Sequence, residues 1–353
     1  MRGAPAQGGR VEHGEHGVST DGPPLISVIM IFLDAEQFIA EAIESVLAQT
    51  CATWELVLVD DGSTDGSTAI AMEYARRHPA KVRYATHAGR RNRGTSASRN
   101  LGLAHARGEY VAFLDADDVW LPRKLEEQLA ILESHPEAAM VYGPALRWYG
   151  WTGRAEDAER DFVPHVAQGP VDDVAPPPAL LPLLLANTCV EPFSSAVLVR
   201  RATVDRVGGF ENRFTGMFDD LAFFVKVSIE GPVFVASTCW HKYRRHPDSF
   251  TSRVVRAGRY QASWTAFVEW LALYLWEHGI RRGEVWRLLR RELGPYPHPA
   301  LYPAIRPAWR LAVKGKKTIR LAAGKIAAAW RRHAGAGPAV SLGTLADHGE
   351  MHR

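Results

Sequence analysis

The chain alternates between short unbroken apolar runs and longer stretches where apolar residues recur every three or four positions. Residues 25–33 (LISVIMIFL), 54–59, 82–85, 110–114 and 139–146 are of the first kind and read as buried strands. Residues 35–48 are of the second kind, with Phe38, Ile39, Ala42, Ile43, Val46 and Leu47 at helical spacing. Asp34, with Gln37 three positions on, has the spacing of a capping box that would start this helix. Residues 67–77 and 96–106 read as two more helices, and Pro122 suits the first position of a fourth that runs to about Ser134. Strand and helix alternate, which predicts a mostly parallel α/β sheet with helices on both faces.

The rhythm breaks over 148–178, a polar stretch ending in Pro176-Pro177-Pro178, read as an inserted loop. Strands at 195–200 and 233–236 flank a helix at 218–230. From about Val254 the chain turns helical. Trp264, Phe267, Val268, Leu271, Tyr274 and Leu275 share one face, suited to packing on the main domain or to lying in a membrane interface. No apolar run reaches the 18 residues that a spanning helix needs. The reading divides the chain into a disordered leader (1–24), a main domain (25–253, with halves 25–120 and 121–253), a helical extension (254–300) and a basic tail (301–353).

Charge matters mainly through its placement. The tail carries ten Lys/Arg against two Asp/Glu, a local +8 in a chain of net +3, so the remainder is −5. Such asymmetry points to an anionic partner. Arg310, Lys314 and Lys317 fall on one helical face and Trp309, Val313, Ile319, Ile326 and Trp330 form a broken apolar stripe, which fits an anionic membrane surface or a solvated tail. No nucleic-acid reading motif accompanies the charge, so nucleic acid is not an expected partner. Three dispersed cysteines, Cys51, Cys189 and Cys239, match neither a zinc pattern nor a disulfide framework, which suits a reducing cytoplasm.

Acids gather where elements end: Asp60/Asp61, Asp115/Asp117/Asp118 and Asp219/Asp220. Each cluster alone has an ordinary explanation. Asp60-Asp61-Gly62 could be turn chemistry, Asp118 solvated or a helix cap, and Asp219/Asp220 residues favoured at a helix start. Together they differ, because acids at the C-terminal ends of parallel strands meet at one edge of the sheet, where open α/β folds bind ligands. Asp115 and Asp117 are two apart, so an extended chain points both to one side with Cα atoms about 6–7 Å apart. Carboxylates that close suit a divalent cation clamped to a diphosphate. No P-loop, no Gly-x-Gly-x-x-Gly after the first strand, no Gly-x-Ser-x-Gly elbow and no His-Glu-x-x-His occurs.

The stretches ISVIMIFLDAEQFIAEAIESVLAQT, WELVLVDDGSTDGS, RGTSASRNLGLAHARGEYVAFLDADD, GGFENRF with MFDDLAFFVKV, and YRRHPDS together resemble family 2 glycosyltransferases, inverting enzymes of the GT-A fold. The resemblance covers roughly 25–250. It implies a nucleotide-sugar donor, an acceptor hydroxyl on a carbohydrate or lipid-linked glycan, and Mn²⁺ or Mg²⁺. Asp61 would contact the donor base, Asp115 would sit near ribose and metal, and Asp117 would ligate the cation. Asp220 would be the general base. Arg99 and Asn100 match the ArgAsn of the helix before the acid-tipped strand, with Arg99 a candidate for nucleotide-sugar binding or for packing against the site, and Arg244 and Arg245 fall where a basic residue often approaches the phosphates. Asp219 and Trp148 are acceptor-side candidates; Trp148, Tyr149 and Trp151 lie in the inserted loop, where aromatic residues suit stacking on a sugar or equally local packing. Ile31 stands where the family usually has Pro, Asp34 where it has Asn, Asp219 where it has Glu, and Lys226 where it has Arg. The absence of Gln-x-x-Arg-Trp argues against the processive synthases. Two other classes compete: a catalytically inactive sugar-nucleotide-binding module, which the intact acids disfavour, and a nucleotidyltransferase. The latter normally has a Gly-rich basic loop after the first strand, where this chain has Leu33-Asp34-Ala35-Glu36. An enzyme of this reading would work in the cytoplasm, at the inner face of the membrane if the tail binds there.

Overall fold

The computed structural model describes residues 24–164, 168–190 and 192–292. The leader up to residue 23 and the basic tail lie outside the described residues. In chain order the elements are β1 (Ile26–Phe32), α1 (Ile39–Leu47), β2 (Trp54–Asp60), α2 (Ser67–Arg77), β3 (Val82–Thr86), α3 (Thr95–His105), β4 (Tyr110–Asp115), β5 (Val119–Trp120), α4 (Lys124–Ser134), β6 (Met140–Tyr142) and β7 (Ala145–Trp148). They continue with α5 (Ala155–Ala158), β8 (Asp173–Ala175), α6 (Leu180–Ala186), β9 (Leu198–Arg200), α7 (Arg201–Val207), α8 (Asp219–Glu230), β10 (Val233–Val235), β11 (His241–Arg244), α9 (Phe250–Arg256), α10 (Tyr260–Glu277) and α11 (Glu284–Glu292).

The main sheet runs β3-β2-β1-β4-β9-β6-β10-β8. Its first four strands are parallel, and β1 pairs Phe32 with Asp60 on one side and Ile31 with Asp115 on the other. That register brings the acidic ends of β2 and β4 to one edge. The strands read as continuous apolar runs because both faces are covered. Val28, Met30, Leu56 and Leu58 pack with Ile39, Ile43 and Val46 of α1 on one face, and Ile29, Val57 and Val59 with Leu103 of α3 and Phe223 of α8 on the other. Each fully buried aliphatic or aromatic side chain contributes about 1.5–3 kcal/mol of transfer free energy.

Beyond β4 the sheet becomes mixed. β9 is antiparallel to both β4 and β6, β10 is parallel to β6, and β8 closes the edge antiparallel to β10. The fold is therefore a mixed, mostly parallel α/β sheet flanked by helices, with a helical extension. The expected single strand over 139–146 is in fact two. β6 stays in the main sheet, while β7 leaves for a second sheet, β5-β11-β7, after Gly143 and Pro144. A Cβ on Gly143 would lie 2.3 Å from the Thr238 carbonyl oxygen, so only glycine passes at that crossing.

Local signals misled elsewhere too. The first helix starts at Ile39, and no side chain caps it. Asp34 instead has φ 50 and accepts from the Thr64 amide at 2.7 Å, and Glu36 accepts from the Gly66 amide at 2.6 Å. Tertiary partners on the loop before α2 thus displace the local capping box. The 148–178 stretch is not all loop, since it holds α5 and the edge strand β8. The predicted strand at 195–200 opens with a 3₁₀ turn, Ser194–Ala196, before β9. The apolar face of the extension packs on protein: Phe267, Val268, Leu271 and Leu275 of α10 join Leu181, Phe214, Ala222 and Val225 in one cluster, with Trp286 and Leu289 of α11. No helix among the described residues is long and apolar enough to cross a membrane.

Candidate active site

At the edge where β1, β2 and β4 end lies a cleft of about 1250 Å³. Its walls include Asp61, Asp115, Asp117, Asp219 and Asp220, brought together from three separate segments, with Arg99, Tyr149, Arg245 and His246.

The two acids that end β2 have different tasks. Asp60 is spent on the turn: its Oδ1 accepts from the amides of Gly62 (3.0 Å) and Ser63 (2.7 Å), and its Oδ2 from Thr68 Oγ1 (2.6 Å) and Tyr84 Oη (3.0 Å). Burial opposes ionisation, but these donors hold its carboxyl below the usual range. Asp61 faces the cleft and accepts from the amides of Arg93 (2.7 Å) and Gly94 (3.0 Å), which fixes the loop ahead of α3. A carboxylate has about four lone-pair sites, so Asp61 retains capacity for a ligand N–H.

The acids after β4 also divide. Asp118 is fully buried, neither solvated nor a cap. It accepts from Ser195 Oγ (2.6 Å) and the Arg244 amide (3.0 Å), tying β4 to β11. Burial, then the charges of Asp117 and Asp115, push its carboxyl well above the usual range. Asp115 and Asp117 are each about a third exposed along the cleft. Asp115 accepts from Arg99 Nη2 at 2.7 Å, and Asp117 Oδ2 lies 3.1 Å from His246 Nε2.

Arg99 of α3 is the hub. Its side chain is 6 % exposed, and its two terminal nitrogens go to different halves of the molecule, Nη2 to Asp115 and Nη1 to Asp219. Burial pulls its pKa down, but Asp219 and then Asp115 hold it above its usual value. It lines the cleft with its hydrogen-bonding fork already engaged by protein.

Asp219 and Asp220 open α8, after Phe218 adopts φ 65, rare for an aromatic residue. The Phe218 ring pays for that conformation by packing against Tyr260, Trp264 and Phe267. Asp219 is buried against Arg99, whereas Asp220 accepts no hydrogen bond from a side chain among the described residues; its Oδ1 accepts the Leu221 amide at 2.7 Å. Burial, then the Asp219 charge, push the Asp220 carboxyl up to about 7, against the opposing pull of Arg99. A carboxylate with that affinity can accept a proton near neutral pH.

The facing wall departs from the sequence reading. Trp148 is not among the cleft-lining residues. It lies under the cations of Arg244 (4.4 Å) and Lys242 (4.7 Å), and its neighbour Tyr149 reaches the cleft instead. Trp151 packs on Phe38 and donates to the Arg245 carbonyl. Arg244 is buried, donating to the Asp117 carbonyl (2.7 Å) and to Glu41 (2.6 Å), while Arg245 is exposed at the cleft. Lys226 pairs with Glu211 at 3.2 Å. The residue that sequence reading passed over is His246. It lay inside the quoted YRRHPDS stretch, where the adjacent arginines drew the phosphate role. Among the described residues no three His, Cys, Asp or Glu side chains gather into a metal cluster; Asp117 and His246 come together as a pair, 3.1 Å apart.

Sheet, acids and helix α8 define a GT-A-type fold. Residues 27–162 match the family model for glycosyl transferase family 2, which bears out the resemblance over the motifs of that stretch. The chain is 44 % identical over 118 residues to the putative glycosyltransferase EpsE of Bacillus subtilis, covering 33 % of this chain and 42 % of that one. It is 37 % identical over 119 residues to the UDP-Glc:alpha-D-GlcNAc-diphosphoundecaprenol beta-1,3-glucosyltransferase WfgD of Escherichia coli, covering 34 % and 45 %. The matched stretch thus spans less than half the length of these curated relatives. Staphylococcus aureus TarS 1-349, solved with UDP-GlcNAc, shares the fold with a TM-score of 0.56 at 20 % identity, over 76 % of this chain and 71 % of that one.

Proposed function

We propose that this protein is an inverting glycosyltransferase that moves a sugar from a nucleoside diphosphate donor to an acceptor hydroxyl in cell-surface polysaccharide or glycolipid synthesis. The observation that carries the reading is the meeting of Asp61, Asp115, Asp117 and Asp220 in one cleft at the sheet edge. The names of the relatives, with UDP-Glc and UDP-GlcNAc among their ligands, support a nucleotide-sugar donor.

In this reading Asp61 accepts a hydrogen bond from the donor base and Asp115 borders the ribose. Arg99 acts behind them, holding Asp115 and Asp219 rather than touching the nucleotide. The acceptor hydroxyl attacks the anomeric carbon from the face opposite the diphosphate, and Asp220 takes its proton. The new C–O bond forms as the bond to the β-phosphate oxygen breaks, with the electron pair leaving on the diphosphate. One displacement inverts the configuration. General-base catalysis of this kind contributes about 10²–10⁴-fold.

Asp117 and His246 fit a divalent cation. Asp117 would hold the cation with His246 beside it as a further donor, since Mn²⁺ and Mg²⁺ at nucleotides are bound through one or two carboxylates together with phosphate oxygens and water. When bound, the cation supplies neutralisation of the charge that grows on the departing diphosphate. A lipid-linked or carbohydrate acceptor would enter beside Asp219 and Asp220. Cytoplasmic work at the inner membrane face, with the tail against anionic lipid, completes the proposal, and three cysteines that form no disulfide agree with it.

A thermal-shift panel of nucleotide sugars with Mn²⁺ or Mg²⁺ tests it. One nucleotide sugar should raise Tm in a metal-dependent way. A flat panel would refute the donor site.

A further inference from the structure

We propose that the corner between α9 and α10, residues 250–260, is a docking surface for an anionic lipid bilayer, set on the rim of the cleft. Eight large apolar residues are exposed among the described residues, and three of them fall in this segment: Phe250 (43 %), Val255 (54 %) and Tyr260 (43 %). Scattered apolar residues need no explanation, but a cluster beside a functional opening does.

The charge of the same segment selects the occupant. Arg253, Arg256 and Arg259 are all exposed, and the segment contains no acid. Arg256 donates to the Pro247 carbonyl at 2.9 Å and lies 3.8 Å from Asp248, itself 83 % exposed. Apolar side chains interleaved with arginines match the acyl boundary and the phosphates of an anionic leaflet, where each cation near the surface adds to binding. A purely apolar partner would leave the guanidinium groups of Arg253 and Arg259 facing it without a counter-charge. The surface is continuous with the cleft: Phe250, Arg253 and Tyr260 line it, and Tyr260 packs on Phe218, next to Asp219 and Asp220. Seating this corner in a headgroup layer would turn the acceptor side of the cleft toward the membrane. The inference concerns lipid affinity alone, so its outcome is separate from that of the proposed transfer reaction.

Flotation of the full chain with vesicles tests it. The parent should float with phosphatidylglycerol–phosphatidylcholine vesicles and far less with phosphatidylcholine alone. Val255→Asp combined with Arg259→Glu should lower the anionic-vesicle partition at least tenfold. Met72→Asp, at an equally exposed residue on α2, should leave it unchanged. The single substitutions, each expected to lower it at least threefold, carry the test should the double variant unfold. Parent-like flotation of the Val255 and Arg259 variants would overturn the proposal, as would a parent that ignores anionic vesicles.

Discussion

Replacing Arg99 with methionine should test how the two halves of the site are joined. The guanidinium is the only bridge described between Asp115, at the end of β4, and Asp219, at the start of α8. Methionine keeps much of the volume but strands the buried Asp219 carboxylate without its cation. Breaking a buried pair by removing one partner costs about 3–5 kcal/mol, a large share of the roughly 5–15 kcal/mol that holds a typical domain folded. At roughly 2–4 °C per kcal/mol for a domain of this order, Tm should fall by about 6–20 °C. Adding Asp219→Asn removes the stranded charge, so the double variant should recover part of the loss, with a coupling of about 0.5–3 kcal/mol. Denaturant unfolding of the parent, both single variants and the double variant gives the cycle directly. The reasoning fails if Arg99→Met costs less than about 1 kcal/mol, or if the two substitutions add without coupling.

Three further outcomes follow. Asp117→Ala and His246→Ala should each weaken the Mn²⁺-dependent part of donor binding by at least about tenfold, since even outer partners of metal ligands carry that much; titration calorimetry with and without metal reads it. The transfer rate should show an acid limb near pH 7, because the proposed reaction needs Asp220 deprotonated and its carboxyl is raised to about 7. Activity should be full above that limb and fall about tenfold per pH unit below it, and in an Arg99→Met protein that still folds the limb should move to higher pH, as the cation opposing the rise is gone. Trp148→Ala should cost about 1–3 kcal/mol through lost stacking under Arg244 and Lys242 while donor affinity stays at the parent value; a large loss of donor affinity with unchanged Tm would return Trp148 to the cleft.

The parallel half of the sheet was legible because its strands are buried on both faces. The runs at Ile26–Phe32 and Trp54–Asp60 are apolar without interruption, and few other structures accept such runs. Helix α2 was readable to the residue, since a turn precedes it and Asp65 two positions ahead accepts from the Ser67 amide at its start. The errors fall where distant partners outweigh local preference. Asp34 gives up its cap to bind the Thr64 amide, and the run at 139–146 splits because Gly143 passes close under the Thr238 carbonyl. In the site, residue type marked the acids and the resemblance singled out Asp61 and Asp117; the fold adds that Asp60 and Asp118 are buried and engaged by protein donors. The roles of Arg99, Arg244 and His246 depend on contacts across more than a hundred residues of chain, to Asp219, Asp117 and Glu41. No periodicity or spacing encodes such contacts.

The central claim is that Asp220 removes the acceptor proton in a cleft that binds a nucleotide sugar. Its most direct test compares the parent with Asp220→Asn for nucleotide-sugar affinity and for nucleoside diphosphate release in the presence of acceptor. The account predicts matching affinities and a release rate lower by about 10²-fold or more. Release from the Asp220→Asn protein at near the parent rate would contradict it.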